Sequence, residues 1–265
     1  MPKVKPAGTQ SISRTISILK AIAARKDIGW RLTDLASQCG LDISTTYRIV
    51  ACLASEGLVE QRTRDRRYVP GQLMFELSLA VPAYEAFRSA MRPQLMQLAR
   101  QLDSIAFLFI RSINEVVCID RVGSSSAQPL TVVGTRRPMA ESTAGIAMLL
   151  KLPLEEQRAL LAAKYDKWYR SSVHRVSTYR RILNRSRKCG YGLNRGNLVA
   201  GLAGIAVPIM DHEERPFSAL SVTGPTDHLL GENLERAHTM LVDASRKATQ
   251  QHEVLIAALT DYRQR

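Results

Sequence analysis

The stretch "CGLDISTTYRIVACLASEGLVEQ", residues 39–61, has the pattern of a helix with two unlike faces. Ile49, Val50 and Leu53 recur at the spacing that lines one buried side of a helix. The outward side opens with two hydroxyls, a phenol and a guanidinium: Ser44, Thr45, Tyr47 and Arg48. A short helix that presents such groups to solvent is suited to contact a polar partner.

The flanking segments predict the context of this helix, which we expect over residues 44–55. Periodicity and turn residues predict two earlier helices, over residues 11–25 and 33–39, and two short strands, "LVEQ" (58–61) and "RYVPG" (67–71). Thr33 is expected to cap the second helix and Gly40 to end it. Three helices followed by a basic hairpin predict a winged helix-turn-helix over residues 10–72, preceded by a disordered arm at residues 1–9.

The remainder of the chain has a different pattern. Long apolar and helix-forming residues predict linker helices over residues 73–103. Beyond them, strands are expected at 105–110, 116–122, 130–134, 203–210 and 217–224, and helices at 142–152, 155–163, 179–190 and 232–259. The sequence therefore predicts an α+β protein whose second domain, residues 104–260, is a mixed or antiparallel sheet with helices packed on it.

The charge favours a polyanionic partner. The chain has 37 basic and 24 acidic residues, a formal net charge of +13, and the segment up to Gln72 contributes twelve basic and six acidic residues. The four cysteines lack metal-ligand spacing, which is typical of free thiols in a reducing cytoplasm: Cys39, Cys52, Cys118 and Cys189. No apolar run is long enough to predict a membrane span, and residues 1–9 lack the apolar core of a secretion signal.

The outward residues fit double-stranded DNA. A recognition helix reads base edges in the major groove with its N-terminal residues, so Arg48 could contact a guanine or clamp a phosphate. Ser44 and Thr45 could donate to phosphate, and Tyr47 could reach a phosphate or a thymine methyl. Four arginines of the hairpin would cross the backbone or enter the minor groove: Arg62, Arg64, Arg66 and Arg67. The alternative is an ordinary solvated helix with a charged hairpin.

With these features the sequence resembles the IclR family of bacterial transcriptional regulators. The N-terminal similarity lies in "SISRTISILKAI", "LTDLASQCGLDISTTYRIVACLASEGLVE" and "RYVPG". In the second half it lies in "GTRRPMAESTAGIAMLL", "KCGYGLN", "GLAGIAVPIMD" and "FSALSVTGP". The resemblance implies a winged helix-turn-helix, a linker helix and a GAF-like domain that binds a small effector. It also implies dimers or tetramers, joined partly through the N-terminal helices.

The resemblance further implies an effector pocket. Its residues here would be Ser142, Thr143, Asn194, Leu202, Gly204, Ser221 and Thr223. Hydroxyls at the start of a helix, facing Ser221 and Thr223 on a strand, would suit a carboxylate. The alternative is that these two residues only hydrogen-bond within the fold. Ala140 replaces a frequent histidine, and Gly204 stands where many members have cysteine, so we expect a roomier pocket that favours an aromatic acid over a two- or three-carbon acid.

Enzyme chemistry finds little support in the sequence. The five histidines are isolated from one another, and no HExxH, Walker or GxSxG motif occurs, so we expect no catalytic residue, metal or cofactor. The neighbours Asp120 and Arg121 are interpreted as a surface pair, and the basic helix at 179–190 as solvated or in contact with flanking DNA or RNA polymerase. We therefore predict a cytoplasmic DNA-binding regulator that responds to a small organic or aromatic acid and controls a catabolic operon. The rival is a GAF-like ligand-binding or enzymatic protein whose N-terminal domain docks a protein.

Overall fold

The computed structural model describes residues 8–124, 131–171 and 173–264. The chain divides into two compact units, Met1–Pro82 and Ala83–Arg265. The boundary divides the predicted linker segment 73–103 between the two units. Except for Gly8 and Thr9, the predicted arm at residues 1–9 lies outside the described residues.

The first unit is a three-helix cluster with a short antiparallel hairpin. Its elements are α1 (Gln10–Ala24), α2 (Leu32–Cys39), α3 (Ile43–Ser55), β1 (Val59–Gln61), β2 (Tyr68–Pro70) and α4 (Gln72–Ser78). Ile18 and Ile22 of α1 pack against Leu35, Val50 and Leu53 in a continuous core. Val50 and Leu53, which the sequence placed on the buried side of their helix, therefore lie in this core, and the arrangement is a winged helix-turn-helix.

The ends of two helices are set by local chemistry. Gly40 ends α2 in the left-handed conformation, with φ of 64°, as predicted. The prediction that Thr33 caps α2 is wrong, because the helix begins one residue earlier and Arg31 holds the cap position without a side-chain hydrogen bond. Asp42 caps α3, where its carboxylate accepts a hydrogen bond from the backbone N–H of Thr45.

The second unit is an antiparallel sheet covered on both faces by helices. Its elements are α5 (Pro82–Gln101), β3 (Ile105–Ser112), β4 (Glu115–Val122), β5 (Arg136–Pro138), a 3-10 turn (Met139–Glu141), α6 (Thr143–Leu149), α7 (Leu154–Ser171), α8 (Val173–Cys189), β6 (Gly192–Val199), β7 (Leu202–Met210), β8 (Pro216–Pro225), α9 (Thr226–Leu229), α10 (Glu232–Gln251) and α11 (Glu253–Gln264). The strand order is β5-β4-β3-β8-β7-β6. Every described pairing is antiparallel. The predicted α+β class is confirmed, with an antiparallel sheet.

Alternation along the strands separates two cores. Leu108 of β3 faces the core formed with α5 and α10, where Phe87 and Leu241 are fully buried. Its neighbour Phe107 faces the opposite core, which contains Ile146 of α6 and residues of α8. The cavity described below lies on this second face.

Some local predictions were wrong. Residues 131–134 of the predicted strand at 130–134 are not in a strand: Val133 and Gly134 form a turn, with Gly134 at φ 92°, and the strand follows at Arg136 instead. Strand β6 was not predicted because its sequence is rich in glycine and asparagine, and it forms by pairing with β7. The final helix, predicted to be continuous, is divided at His252 into α10 and α11.

Candidate DNA-binding surface and ligand cavity

Helix α3 exposes the residues that the sequence assigned to DNA. Tyr47 exposes 57% of its surface, and Ser44 and Arg48 are also exposed, while Thr45 is half-buried. Thr46, one turn from the start of the helix, is fully buried. The predicted polar face is therefore directed to solvent, and the side chains of Tyr47 and Arg48 are available to a partner.

The N-terminus of α3 carries a carboxylate that sequence reasoning missed. Asp42 Oδ1 accepts hydrogen bonds from the Thr45 backbone N–H and from the Ser44 hydroxyl, both at 2.7 Å. These bonds, of which the one from the Thr45 amide has the largest effect, hold the pKa of Asp42 well below its usual value. A phosphate that approaches this end of the helix meets a negative charge, so the predicted phosphate contact of Ser44 requires its hydroxyl to leave Asp42. The signal was present in the sequence, since Asp is among the preferred N-cap residues.

Arg62 of the wing is part of the fold. Its Nη1 donates to the carbonyl of Asp27 at 3.0 Å, and its Nη2 donates to the carbonyl of Ile28 and to Asp65 Oδ2. Only 22% of the Arg62 side chain is exposed. The guanidinium therefore ties the wing to the loop that follows α1.

The other three wing arginines differ in how far the fold engages their side chains. Arg67 is half-buried, with Nε 3.7 Å from Asp65 and Nη1 3.4 Å from the carbonyl of Gly29. Arg64 and Arg66 are exposed at the tip of the turn. The four predicted DNA contacts of the wing thus comprise two arginines that hold the hairpin in place and two that project into solvent.

A cavity of about 240 Å³ opens on the α6 face of the sheet in the second unit. All seven residues predicted for the effector pocket line it: Ser142, Thr143, Asn194, Leu202, Gly204, Ser221 and Thr223. Four elements contribute them, namely α6 with its N-cap, β6, β7 and β8. The structure therefore brings together residues that lie up to 81 positions apart in the chain.

Glycines shape this cavity. A Cβ at Gly192 would lie 2.2 Å from the carbonyl oxygen of Thr143, so only glycine lets β6 approach α6 so closely. A Cβ at Gly204 would lie 3.4 Å from the hydroxyl oxygens of both Thr143 and Thr223. The absent side chain at Gly204 thus leaves space between two hydroxyl groups.

Several polar groups of the lining already have protein partners. The Ser142 hydroxyl accepts from the Gly145 N–H at 3.4 Å, which caps α6. The Ser221 hydroxyl donates to the carbonyl of Ile205 at 3.0 Å, and Asn194 Oδ1 accepts from a backbone N–H of its own strand. Each oxygen keeps a further lone pair for a ligand, but the hydroxyl proton of Ser221 is committed to the fold.

Sequence reasoning missed other residues of the lining. They are chiefly two aromatic rings, an arginine, an acid and a tyrosine: Phe107, Phe109, Arg137, Glu141 and Tyr179. The rings of Phe107 and Phe109 lie side by side on β3, with centroids 5.9 Å apart. The alternation of "FLF" at 107–109 could have indicated a shared aromatic face.

Arg137 is the cation of the lining. Its side chain is half-exposed, and within the described part of the chain no hydrogen bond or ion pair engages its guanidinium. Its neighbour Arg136 instead makes an ion pair with Glu115 at 3.0 Å. Two adjacent arginines thus have separate tasks: one fastens β5 to β4, and the other is available to an anion.

Within the described ranges, no group of three or more His, Cys, Asp or Glu side chains is placed to hold a metal ion. All four cysteines are free thiols, and burial raises the pKa of Cys118 to about 12. Across the same ranges, none of the helices combines the length and apolar character that crossing a bilayer requires.

Comparison with known proteins extends over most of the chain. Residues 84–250 match the bacterial transcriptional regulator IclR C-terminal family, and residues 11–63 match the IclR helix-turn-helix domain. The transcriptional repressor IclR of Escherichia coli K12 is 27% identical over 248 residues, covering 91% of this chain and 89% of the repressor.

Solved structures share the fold. An IclR transcriptional regulator from Alicyclobacillus acidocaldarius has a TM-score of 0.69 at 23% identity, covering 91% of this chain and 97% of its own. An IclR homologue from Microbacterium hydrocarbonoxydans, complexed with 4-hydroxybenzoate, has a TM-score of 0.67 at 22% identity, covering 94% and 99%.

Fold and similarity together define a DNA-binding transcriptional regulator with an N-terminal helix-turn-helix. The chain belongs to the IclR family of bacterial transcriptional regulators. Its relatives are named as regulators and repressors and not as enzymes, in agreement with the prediction of a non-enzymatic function.

Proposed function

We propose that this regulator binds a small aromatic carboxylic acid in the cavity of its second unit and controls a catabolic operon in response. The observation that carries the proposal is the composition of the cavity. The two neighbouring rings of Phe107 and Phe109 and the available guanidinium of Arg137 line the same space. An aromatic acid is complementary to that combination of an apolar wall and a cation.

The volume supports a single-ring ligand. Pockets for drug-sized ligands span roughly 300–1,000 Å³. The cavity here, at about 240 Å³, is smaller than that range, and the space beside Gly204 is part of it. The relative that carries 4-hydroxybenzoate shares the fold of this chain, which makes that acid a suitable first probe.

Arg137 is the best anchor for the carboxylate. The sequence suggested the N-terminus of α6, but the Ser142 hydroxyl already accepts the Gly145 N–H there. Glu141 also lines the cavity and would repel an anion. The carboxylate is therefore best placed beside Arg137, with the Thr143 and Thr223 hydroxyls as further donors.

DNA contact is assigned to α3 and the tip of the wing. Tyr47 and Arg48 would enter the major groove, and Arg64 and Arg66 would reach the backbone or the minor groove. Arg62 and Arg67 would contribute mainly by holding the wing in position. A protein that binds double-stranded DNA in this way is expected in the bacterial cytoplasm.

Self-association is supported by apolar side chains that the first unit leaves exposed. Ile12 and Ile16 lie one turn apart on α1 and expose 58% and 47% of their surface, and Phe75 and Leu79 expose 65% and 62% at α4. Large apolar groups clustered on a surface mark protein interfaces. A dimer would present two recognition helices to a nearly palindromic operator, with tetramers as the higher assembly.

The test is calorimetric titration of the full-length protein with four probes: 4-hydroxybenzoate, benzoate, phenol and acetate. We expect both aromatic acids to bind. Phenol, which lacks the carboxylate, should bind at least about tenfold more weakly, and acetate, which lacks the ring, should also bind weakly. Arg137→Gln should weaken the binding of the two aromatic acids by about tenfold or more and leave the binding of phenol unchanged. Arg158→Gln, on the exposed face of α7, is the matched control. Equal affinity of phenol and benzoate would contradict the carboxylate assignment.

A further inference from the structure

The charge of the second unit is concentrated in two helices. Residues 83–265 contain 25 basic and 17 acidic residues. Helices α7 and α8 and the residue between them, 154–189, account for ten of the basic and three of the acidic residues. The remainder of the unit is almost balanced, with 15 basic and 14 acidic residues. The excess charge therefore belongs to one segment of the sequence and is not a general property of the unit.

Helix α8 has no acidic residue at all. Its inward side buries Ile182 and Leu183, and the buried Ser186 hydroxyl accepts the Leu193 N–H at 2.9 Å, which fixes the helix against β6. The exposed side carries four cations: Arg180, Arg181, Arg187 and Lys188. We call this set the α8 basic face.

The geometry of the α8 basic face is regular. Arg180 and Arg187, like Arg181 and Lys188, are seven residues apart, which is close to two helical turns. The two members of each pair therefore lie on the same side of the helix, about 10 Å apart along its axis. A stretch of duplex DNA of that length carries roughly six phosphates, so one DNA segment offers at least as many phosphates as the face has cations.

Helix stability alone does not explain the four cations. Arg187 and Lys188 lie in the last turn, where the helix dipole favours positive charge. Arg180 and Arg181 lie two turns earlier, and Arg181 stands four residues before Arg185, a like-charge spacing that destabilises a helix. The arrangement is thus unfavourable in the isolated helix and favourable against a polyanion.

From these observations, and resting on the proposed DNA-binding function, we infer that the α8 basic face binds phosphates of DNA outside the sequence that α3 reads. DNA fits better than an acidic protein because the helix-turn-helix already holds DNA to the chain. Attachment at one site gives the second site a high effective concentration of DNA, so individually weak phosphate contacts become occupied. The contacts carry no base specificity and add salt-dependent affinity.

The experiment uses two DNA fragments from upstream of the protein's own gene. One is the shortest fragment that the full-length protein binds, and the other adds about thirty base pairs of unrelated sequence on each side. The test variant R180Q/R181Q/R187Q/K188Q removes the α8 basic face. The control variant R215Q/R236Q/R246Q/K247Q removes four exposed cations elsewhere in the same unit. Thermal melts establish that both variants are folded.

We expect the wild-type protein to bind the long fragment at least about tenfold more tightly, with a salt slope steeper by about two to four. The test variant should lose that difference and bind the short fragment as before, while the control retains it. Equal binding of both fragments by the wild-type protein, or an equal loss in the control, would overturn the inference. So would a test variant that binds both fragments normally but fails to regulate transcription, since the face would then serve an acidic protein such as RNA polymerase. If the wild-type protein shows no preference for upstream over shuffled DNA, the proposed function itself fails.

Discussion

The α3 surface and the cavity use their functional side chains in opposite ways. On α3, Tyr47 and Arg48 project into solvent and add little to the core beneath them. In the cavity, Ser142 and Ser221 are more than nine-tenths buried and hydrogen-bonded within the fold. Substitutions on α3 should therefore change binding alone, whereas most substitutions in the cavity should change binding and stability together.

The wing contains both situations within six residues. Arg62 is fastened to carbonyl groups and to Asp65, whereas Arg64 is exposed at the tip. Residue type and position in the sequence do not distinguish them, and only the folded structure does. The contrast between exposed side chains and side chains held by the fold therefore exists between neighbouring arginines as well as between α3 and the cavity.

The largest effect is expected for Arg48→Ala. Loss of a bidentate base contact should weaken binding to the operator by about ten- to a hundredfold, with relaxed preference at one base position. Fluorescence anisotropy with single-base operator variants measures both. The Tm should stay within about 1 °C, because the side chain is exposed. A weakening that is uniform across all sequences would make Arg48 a phosphate clamp, and a large fall in Tm would contradict the exposed placement.

Arg62→Ala and Arg64→Ala form a matched pair on the wing. Removal of Arg62 abolishes its hydrogen bonds to Asp27, Ile28 and Asp65 and should lower the free energy of unfolding by about 2 kcal/mol. Removal of Arg64 should leave stability unchanged and reduce the salt slope of DNA binding by about 0.9. Urea unfolding and salt titrations separate these outcomes. Equal stability of the two variants would refute a structural role for Arg62.

Gly204→Ala tests the space in the cavity. The added methyl would meet the hydroxyl oxygens of Thr143 and Thr223 at 3.4 Å, so both must give way slightly. We expect a few-fold loss of affinity for 4-hydroxybenzoate and a smaller loss for a two- or three-carbon acid. Calorimetry provides the comparison. A uniform loss for all acids would show that the methyl group acts by distorting the cavity and not by filling it.

The smallest effect concerns the acid dependence of α3. Because hydrogen bonds lower the pKa of Asp42 in the folded state, its contribution to stability is complete above the unfolded pKa of about 4 and declines as the pH falls below it. Asp42→Ala should therefore lower the Tm at pH 7 by a few degrees, and the difference from wild type should narrow below about pH 4. Melts from pH 7 to about pH 2.5 measure it. A difference that stays constant over the whole range would mean that the carboxylate charge is not involved in the cap.

The sequence predicted α3 and the helix-turn-helix because periodicity and turn residues there agree with the tertiary structure. Local pattern could not find β6, since "GLNRGN" has weak strand propensity and pairs only because β7 lies beside it. The seven cavity residues came from family resemblance and not from spacing. Arg137 escaped notice because nothing in the sequence distinguishes it from its neighbour Arg136, which pairs with Glu115.

The pair Asp120 and Arg121 shows a second reason for failure. The predicted surface pair is wrong, because Asp120 is 3% exposed and accepts hydrogen bonds from Arg92 Nη1 at 2.7 and 3.0 Å. A register shift in the ladder with β3 places Asp120 opposite Leu108, on the α5 face. Arg121 points to the other face, with its guanidinium carbon 5.9 Å from the Phe107 ring. An irregularity of one residue in strand pairing reverses side-chain directions, and no local sequence pattern reveals it.

The most direct test of the account is anisotropy of DNA from upstream of the protein's own gene, against shuffled DNA, at physiological salt, with and without 4-hydroxybenzoate. We predict a preference for the upstream DNA of at least about a hundredfold. The acid should change the affinity for that DNA by about five- to 150-fold in either direction. The account would be contradicted if the protein bound neither DNA preferentially, lost its binding to both at physiological salt, and showed no effect of the acid.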